Sequence, residues 1–398
     1  MLKKLSKIGV MALVAALLLP GLVLASSQGI DDDTITVGSV GVTSGPAAFI
    51  GQPYYQGMRA YFRTVNDEGG VLGREIELIQ KDDEFDPAQS RDFVQELIYD
   101  EEVFAIVGQL GTPGVISSAQ LVKDSGIPSV YFGSGATELT ELGENFFPVQ
   151  PNYVYEGKLM AKYAVEHFEA DNIAVLYQND DVGRDGIQGI REGLTELGME
   201  DRLDEDAVIS HNPNESDYTA QMQKILVQDP DMVIVFSLSQ AASLIVRAAE
   251  DFGLEAPMLT TYSNADASFL ATIQPSETAP NAIHNLHVMG WLDVDDESLA
   301  PLVNAMENYY PDSNLNAYTM AGWVAGETFV AGLRNLEGDI TWNNYIESMN
   351  NLDFTDGLAA EISFEPGVRQ GVTQMAVSKV VEEDGEYFFE QLTDFMEF

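Results

Sequence analysis

The chain has 398 residues, of which 45% are hydrophobic; this is enough for a substantial core and favours two domains or more. It contains no cysteine, which excludes disulfides, so the fold must depend on its core. The formal net charge of −45 argues against nucleic acid and anionic membranes as partners, because like charges repel.

The first 25 residues predict a secretory signal peptide. Three lysines lie within the first seven residues, residues 10–24 are mostly apolar, and residues 23–25 form a small-residue cleavage site. An N-terminal membrane anchor is the alternative, but the apolar run is short for a bilayer span, which favours cleavage after Ala25. No later run is long and apolar enough to cross a membrane. We therefore expect a soluble exported protein, periplasmic in a cell with an outer membrane.

Loss of this segment would remove three lysines and no acids, which changes the formal charge from −45 to −48. Two explanations of the charge are capture of a cation and a solvated acidic surface suited to high salt. The acids are scattered along the whole chain, as at Asp82-Asp83-Glu84 and Glu101-Glu102. This scatter favours the acidic surface.

From Thr34 onward, apolar runs typical of strands alternate with helical patterns. This alternation predicts parallel sheets with helices on both faces, and a closed (β/α)8 barrel is the structural alternative. The predicted strands are Ile35–Val40, Ile76–Lys81, Val103–Val107, Ser129–Phe132, Asn172–Tyr177, Ala207–Ser210, Met232–Phe236, Met258–Thr261 and Ile283–Met289. The predicted helices between them are Gln56–Asn66, Ala88–Tyr99, Gly114–Ser125, Tyr155–Phe168, Arg184–Leu197, Tyr218–Val227, Ser239–Phe252 and Ala265–Thr272.

Two breaks in the alternation favour two lobes. The first, Phe146–Tyr155, carries two prolines and little periodicity, and the second lies near Val288–Glu297. After the second break the sequence predicts two long helices and then closing strands. These are the helices Leu299–Tyr309 and Ala317–Leu336, and the strands Ile362–Phe364, Met375–Val381 and Phe388–Phe389.

The sequence shows no catalytic or metal-binding motif. It lacks a His-Glu-x-x-His motif, a Gly-x-Ser-x-Gly elbow and a P-loop lysine, and His284 and His287 would point to opposite faces of a predicted strand. Residues 179–185 (NDDVGRD) suggest a calcium loop, but the glycine and glutamate that an EF-hand requires are missing. A turn with a helix N-cap explains them better. We expect no metal and no cofactor.

Three loops that follow predicted strands are small and rich in hydroxyls or backbone amides. They are Thr43–Pro46 with the nearby Phe49, Leu110–Thr112, and Gly133–Thr137. Hydroxyls and the free N–H groups of a helix N-terminus can hold a carboxylate without lysine or arginine. Any one loop is equally well an ordinary tight turn, but three in successive units favour a binding site.

The order of these segments resembles the type I periplasmic solute-binding proteins of ABC transporters, in the branched-chain amino acid and amide group. The resemblance covers nearly the whole mature chain and is most specific in the N-terminal half. The segments that carry it are ITVGSVGVTSGPAAFIGQPYYQGMRAYF, NDEGGVLGREIEL, KDDEFDPAQS, FAIVGQLGTPGVISSAQ, GIPSVYFGSGATELTE and NIAVLYQNDDVGRDGIQGIREGL.

The resemblance implies an α/β fold with two Rossmann-like lobes, each with a parallel sheet, joined by a three-crossing hinge that closes on a small ligand. The N-terminal lobe would comprise residues 34–150 and about 290–360, and the C-terminal lobe residues 151–289 and about 361–398. In the amino-acid binders of this family, loops that here contain Thr112 and Thr137 hold the ligand carboxylate. The contacts implied for the first lobe are Phe49, Leu110, Gly111, Thr112, Gly135, Ala136 and Thr137.

The second lobe departs from the family pattern. Val182 and Leu238 stand where the amino-acid binders have aromatic residues, and Tyr262 stands where they have the acid that meets the ligand ammonium. Either Asp180, Asp181 or Asp266 replaces that acid, or the ligand has no ammonium group. Tyr153, Tyr155 and Trp291 lie at the lobe joins, where they line the cleft or belong to the core.

The resemblance implies an extracytoplasmic solute-binding protein that captures an amino acid or a related carboxylate or amide and delivers it to an ABC permease. A ligand-sensing module that feeds a membrane receptor is the alternative with the same fold. An exported hydrolase is a further alternative, although no catalytic constellation supports it.

Overall fold

The structure is a computed structural model that describes residues 28–45, 47–273, 281–294, 296–313 and 315–398. The predicted signal peptide, residues 1–25, lies outside the described residues. Within the described part of the chain, none of the helices combines the length and the apolar character that a membrane crossing requires.

The first lobe is built on a parallel sheet of five strands in the order β2–β1–β3–β4–β5. Every residue of β3 is buried, as expected for a central parallel strand that helices cover on both faces. The strands are β1 (Thr34–Val40), β2 (Glu75–Lys81), β3 (Ala105–Leu110), β4 (Ser129–Gly133) and β5 (Phe146–Phe147), and the intervening helices are α1 (Ala48–Asp67), α2 (Pro87–Tyr99) and α3 (Thr112–Ser125).

The second lobe is built on a seven-stranded sheet. Its strands are β6 (Ile173–Gln178), β7 (Leu203–His211), β8 (Met232–Phe236), β9 (Met258–Thr260), β10 (Leu286–Gly290), β13 (Ala376–Glu383) and β14 (Glu386–Gln391). Five strands are parallel, β13 pairs antiparallel with β10, and β14 pairs antiparallel with β13, in the order β14–β13–β10–β9–β8–β6–β7. The helices are α4 (Tyr153–Glu166), α5 (Asp181–Leu197), α6 (Thr219–Gln228), α7 (Ser239–Asp251), α8 (Ala267–Thr272) and α9 (Asn281–His284).

The segment between β10 and β13 returns to the first lobe. It contains α10 (Asp296–Tyr309), α11 (Ala317–Arg334), α12 (Trp342–Met349) and a small ribbon of β11 (Asp353–Phe354) and β12 (Ile362–Ser363). A side chain at Gly57 of α1 would overlap the Thr319 carbonyl, and one at Gly322 of α11 would overlap the Tyr54 carbonyl. Glycine therefore lets the α1 and α11 backbones touch.

Two separate open sheets confirm the two-lobed α/β fold and exclude the closed barrel. The chain passes between the lobes three times, after β5, after β10 and before β13. The lobe boundaries near residues 150, 290 and 360 stay a prediction.

Several predicted elements have other bounds in the structure, among them α1 and β10. Helix α1 begins at Ala48 rather than at Gln56, because Gly51 lets its first turns lie directly against the Val42 carbonyl. The predicted strand Ile283–Met289 is wrong in its first part, where α9 ends at His284 and β10 starts at Leu286. The two histidines are therefore not on opposite faces of one strand.

Candidate functional site

A cavity of about 490 Å³ lies between the two lobes. Helices α1, α3 and α11 line it from the first lobe, and the ends of β6, β8, β9 and β10 together with β13 and β14 line it from the second. Its volume lies within the range of roughly 300–1,000 Å³ that is typical of small-molecule sites. Asp180 and Asp181 are the charged side chains among its described lining residues.

The first lobe presents a polar patch at the point where β3 ends and α3 begins. The hydroxyl oxygens of Thr112 and Ser134 lie 2.5 Å apart there, and both residues line the cavity. Thr112 is the first residue of the 14-residue helix α3, so the positive end of the helix dipole and free backbone N–H groups lie beside these hydroxyls. Such an arrangement suits an anion.

Phe85, in the loop between β2 and α2, lies beside Gly111, the residue that precedes Thr112. Glu84 and Phe85 both have left-handed backbones, with φ of 52° and 66°. Asp82 and Asp83 hold them there, because their Oδ1 atoms accept hydrogen bonds from the Glu84 and Phe85 N–H groups at 3.2 and 3.0 Å. A Cβ at Gly111 would lie 2.9 Å from the Phe85 ring. The ring therefore rests on Gly111 at the edge of the cavity.

The structure brings six of the predicted contact residues to the cavity. Leu238 at the start of α7 is held by its backbone N–H, which donates to Gln178 Oε1 at 2.9 Å. Tyr153 and Trp291, which were predicted either to line the cleft or to lie in the core, line the cavity as well. The six residues are Leu110, Gly111, Thr112, Val182, Leu238 and Tyr262.

The other five predicted contacts, Phe49, Gly135, Ala136, Thr137 and Tyr155, do not line the cavity. Phe49 is 62% exposed, and its ring meets the edge of the Tyr318 ring at 6.5 Å. Tyr155 lies by the chain terminus, where its hydroxyl accepts from the Phe398 N–H at 3.0 Å. Direct contact of these five residues with a ligand stays a prediction.

The loop of Gly135 to Thr137 instead joins the two lobes. The Thr137 N–H donates to Asp185 Oδ2 of α5 at 2.9 Å, and the Gly135 carbonyl accepts from the Tyr153 N–H at 2.8 Å. A side chain at Gly135 would overlap the Tyr262 hydroxyl. This loop therefore lies directly against the second lobe.

Tyr262 forms a rigid aromatic wall on the second lobe. Its ring stacks on Tyr153 with centroids 6.0 Å apart and meets the edge of Trp291 at 6.3 Å. Its hydroxyl donates to the Pro151 carbonyl at 3.2 Å. Burial raises the pKa of this hydroxyl, so it remains a neutral donor.

Glu156 of α4 holds the backbone of this wall from behind. Its Oε1 accepts from the Tyr262 N–H at 2.7 Å and its Oε2 accepts from the Thr261 hydroxyl at 2.8 Å. The carboxyl is fully buried, and this burial raises its pKa to about 8. Sequence reasoning missed Glu156, because only the fold places it behind a residue 106 positions further along the chain.

The three acids proposed to meet an ammonium group already have partners. Asp180 caps α5 by accepting from the Gly183 N–H at 3.3 Å, and it also accepts from Gln178 Nε2 at 2.7 Å. This confirms the helix cap predicted within residues 179–185, and the described residues contain no group of acids or histidines able to hold a metal ion. Asp181 pairs with Arg184 at 2.7 Å. Asp266 caps α8 and does not line the cavity.

Sequence reasoning also missed Phe85, Ser134 as an individual contact, Tyr54 and Tyr318. Phe85 had a signal, since it is a large aromatic residue inside the acidic turn KDDEFDPAQS. Ser134 lies in the predicted loop Gly133–Thr137, whereas the two tyrosines had no signal, because tyrosines at helical spacing are typical of a core.

Comparison with known proteins identifies a family and several relatives of the chain. Residues 34–386 match the periplasmic binding protein family. An amino acid binding protein of Pseudomonas aeruginosa is 26% identical over 261 residues, covering 65% of this chain and 67% of that protein. A Leu/Ile/Val-binding protein homologue of Brucella suis is 28% identical over 218 residues, covering 54% of this chain and 57% of that protein.

Solved structures show the same fold. A fatty acid ABC transporter substrate-binding protein from Thermomonospora curvata superposes with a TM-score of 0.75 at 20% identity, covering 93% of this chain and 94% of that chain. A solute-binding protein of an ABC transporter from R. palustris, in complex with 4-hydroxybenzoate, superposes with a TM-score of 0.76 at 19% identity, covering 92% and 97%.

Proposed function

The chain belongs to the periplasmic binding protein family, and on this basis we propose that it captures a small organic carboxylate or amide between its lobes and delivers it to the membrane permease of an ABC transporter. The family consists of solute-binding proteins, so the chain is not an enzyme. The ligand and the permease are the proposed parts.

The observation that carries the proposal is the paired hydroxyls of Thr112 and Ser134 at the N-terminus of α3, facing a mostly apolar cavity. The patch supplies hydrogen bonds and a positive dipole to one end of a ligand, and the apolar walls remove the remainder from water. The names of the similar proteins agree with a carboxylate, since they mention amino acids, a fatty acid and 4-hydroxybenzoate.

The second lobe favours a carboxylate that has no ammonium group. By the resemblance, Tyr262 stands where the amino-acid binders have the acid that meets the ammonium group, and its ring lies at the cavity. Of the two acids among the described lining residues, Asp180 is engaged as a helix cap and Asp181 by Arg184. An ammonium group would therefore lose its hydration without gaining a buried, unpaired carboxylate.

The proposed location is the periplasm, after cleavage of the signal peptide predicted for residues 1–25. The family is periplasmic, and capture outside the cytoplasm matches delivery to an importer. Uptake of a labelled ligand by vesicles that contain the permease, with and without the protein, tests delivery directly.

Binding itself is tested first by native mass spectrometry of the purified protein, which detects a solute that is already bound. The protein is then unfolded in denaturant to release that solute, refolded by dialysis, and titrated calorimetrically. We expect an organic carboxylate to bind and its α-amino counterpart to bind more weakly. Absence of binding across a broad panel of carboxylates, amides and amino acids would overturn the proposal.

A further inference from the structure

The cavity extends well beyond the cleft between the strand ends that the sequence identified. On the second lobe its lining residues belong to or follow six neighbouring strands: β6, β8, β9, β10, β13 and β14. Adjacent strands lie about 4.8 Å apart, so five intervals span roughly 24 Å. A ligand the size of one branched-chain amino acid would cover only part of this wall.

The anion patch lies towards one end of the wall. The contact of the Thr137 N–H with Asp185 sets the first-lobe loops against α5, which follows β6. The approach of Gly135 to the Tyr262 hydroxyl sets them against the end of β9. Because β10, β13 and β14 follow β9 in the sheet, the cavity continues past Tyr262, away from the patch.

This continuation, which we call the distal arm, is lined mainly by Val288, Gly290, Trp291, Leu292, Ala376 and Phe389, and the uncharged polar side chains of Ser378 and Gln391 line it on β13 and β14. No charged side chain lines it among the described residues. From the first lobe, α11 lines the cavity with Ala317, Tyr318, Met320 and Ala321. An apolar arm of this kind gains free energy from an apolar group that it removes from water.

Gly290 shows that the arm is open space. A Cβ at this position would have the Ala376 carbonyl oxygen, 4.0 Å away, as its nearest neighbour, and the residue does not have a left-handed backbone. Most other glycines inside the fold are closely approached by backbone or side chains. A side chain at Gly290 would therefore extend into the arm without steric overlap or backbone strain.

We propose that the ligand is an elongated monocarboxylate, with its carboxylate at Thr112 and Ser134 and an apolar acyl or aryl-alkyl tail in the distal arm. This inference rests on the proposed function and specifies its ligand class. It assigns the tail subsite to residues that neither the predicted contacts nor the anion patch include, apart from Trp291.

A chain-length series tests the tail. Straight-chain monocarboxylates from acetate to decanoate are titrated calorimetrically, together with 3-phenylpropionate. Each methylene that enters the arm should tighten binding about three- to fourfold until the arm is filled. Equal affinity for short and long carboxylates would overturn the tail subsite and leave the carboxylate site in place. If none of them binds, the proposed function fails and the tail subsite fails with it.

Gly290→Phe fills the arm and supplies the matched variant. It should weaken octanoate at least tenfold and leave propionate unchanged, whereas Thr112→Val should weaken both. Circular dichroism and the melting temperature establish that the variant is folded, and Gly290→Ala gives a milder version if the larger side chain prevents folding. Unchanged octanoate affinity in folded Gly290→Phe would contradict the proposal.

Discussion

The carboxyl of Glu156 accepts a 2.7 Å hydrogen bond from the backbone N–H of Tyr262, so a fully buried acid fixes the aromatic wall of the cavity. The same carboxyl accepts from the Thr261 hydroxyl. Burial raises the pKa of Glu156 to about 8, because the loss of solvation outweighs the two hydrogen bonds, which lower it.

This pKa predicts how stability depends on pH. Between about pH 4.5 and about pH 8 the folded protein keeps a proton that the unfolded chain releases. The contribution of Glu156 is therefore full below about pH 4.5 and is lost as the pH rises to about 8. Glu156→Gln keeps an acceptor for the Tyr262 N–H but has no carboxyl that titrates. Its melting temperature should therefore fall less than the parent's between pH 5 and pH 8.5.

Glu166 is exposed on the same helix, so Glu166→Gln is the matched control for this measurement. The pH dependence of its melting temperature should equal that of the parent. Some pH dependence should persist in Glu156→Gln, because burial also raises the pKa of Glu327 to about 7. Identical pH dependence of the melting temperature in the Glu156→Gln variant and the parent would contradict a buried neutral carboxyl.

Thr112→Val removes one hydroxyl of the anion patch and keeps the shape of the side chain. A hydrogen bond to a charged group is worth roughly 1.5–3 kcal/mol, so carboxylate binding should weaken about tenfold to a hundredfold in calorimetric titrations. Thr137→Val tests the residue that the sequence paired with it. Its hydroxyl already donates to Asn152 Oδ1 at 3.3 Å, so we expect a smaller loss. Unchanged affinity in Thr112→Val would show that the anion patch is wrongly placed.

Phe85→Gly should separate ligand affinity from fold stability. Glycine accepts the left-handed backbone at this position without the steric cost of a side chain, so the free energy of unfolding should fall little or rise by up to about 1 kcal/mol. Loss of the ring from the cavity should weaken ligand binding roughly tenfold. Glu84→Gly is the control: it relieves the same kind of strain beside the cavity and should leave affinity unchanged. Equal affinity of Phe85→Gly and parent would remove Phe85 from the site.

The large negative charge predicts stabilisation by salt. Exposed acids repel one another, and raising the ionic strength from 0.1 to 1 M shortens the Debye length from about 10 to about 3 Å. The melting temperature should therefore rise steeply with sodium chloride over this range. A flat response in thermal unfolding would contradict the interpretation of the charge as an adaptation to brine.

Ligand binding should favour a closed arrangement of the lobes, seen as a smaller radius of gyration in small-angle scattering. The contact of the Thr137 N–H with Asp185 crosses the cleft, so Asp185→Ala should destabilise the closed form and weaken binding several-fold. Asp201→Ala, an exposed acid of the same lobe, is the control. A ligand that binds tightly without changing the radius of gyration would count against mobile lobes.

The sequence alone determined the alternation of strands and helices, because buried parallel strands and amphipathic helices each have a characteristic local pattern of apolar residues. It also placed Leu110, Gly111 and Thr112 at a strand-to-helix junction, which is a local feature, and the structure finds them at the cavity. Breaks in this alternation predicted two lobes, and the resemblance added the three crossings between them, since no local pattern says which helix returns to which sheet.

Only the tertiary structure decided which of these loops face the same space. Thr112 and Thr137 have similar loops in sequence, yet Thr112 lines the cavity while the Thr137 N–H is taken by Asp185 from the other lobe. Glu156 behind Tyr262 and the distal arm at Gly290 depend on contacts between residues about a hundred positions apart, or on strands that are neighbours in the sheet and distant in the chain. Such proximity arises from packing, which side-chain periodicity does not encode.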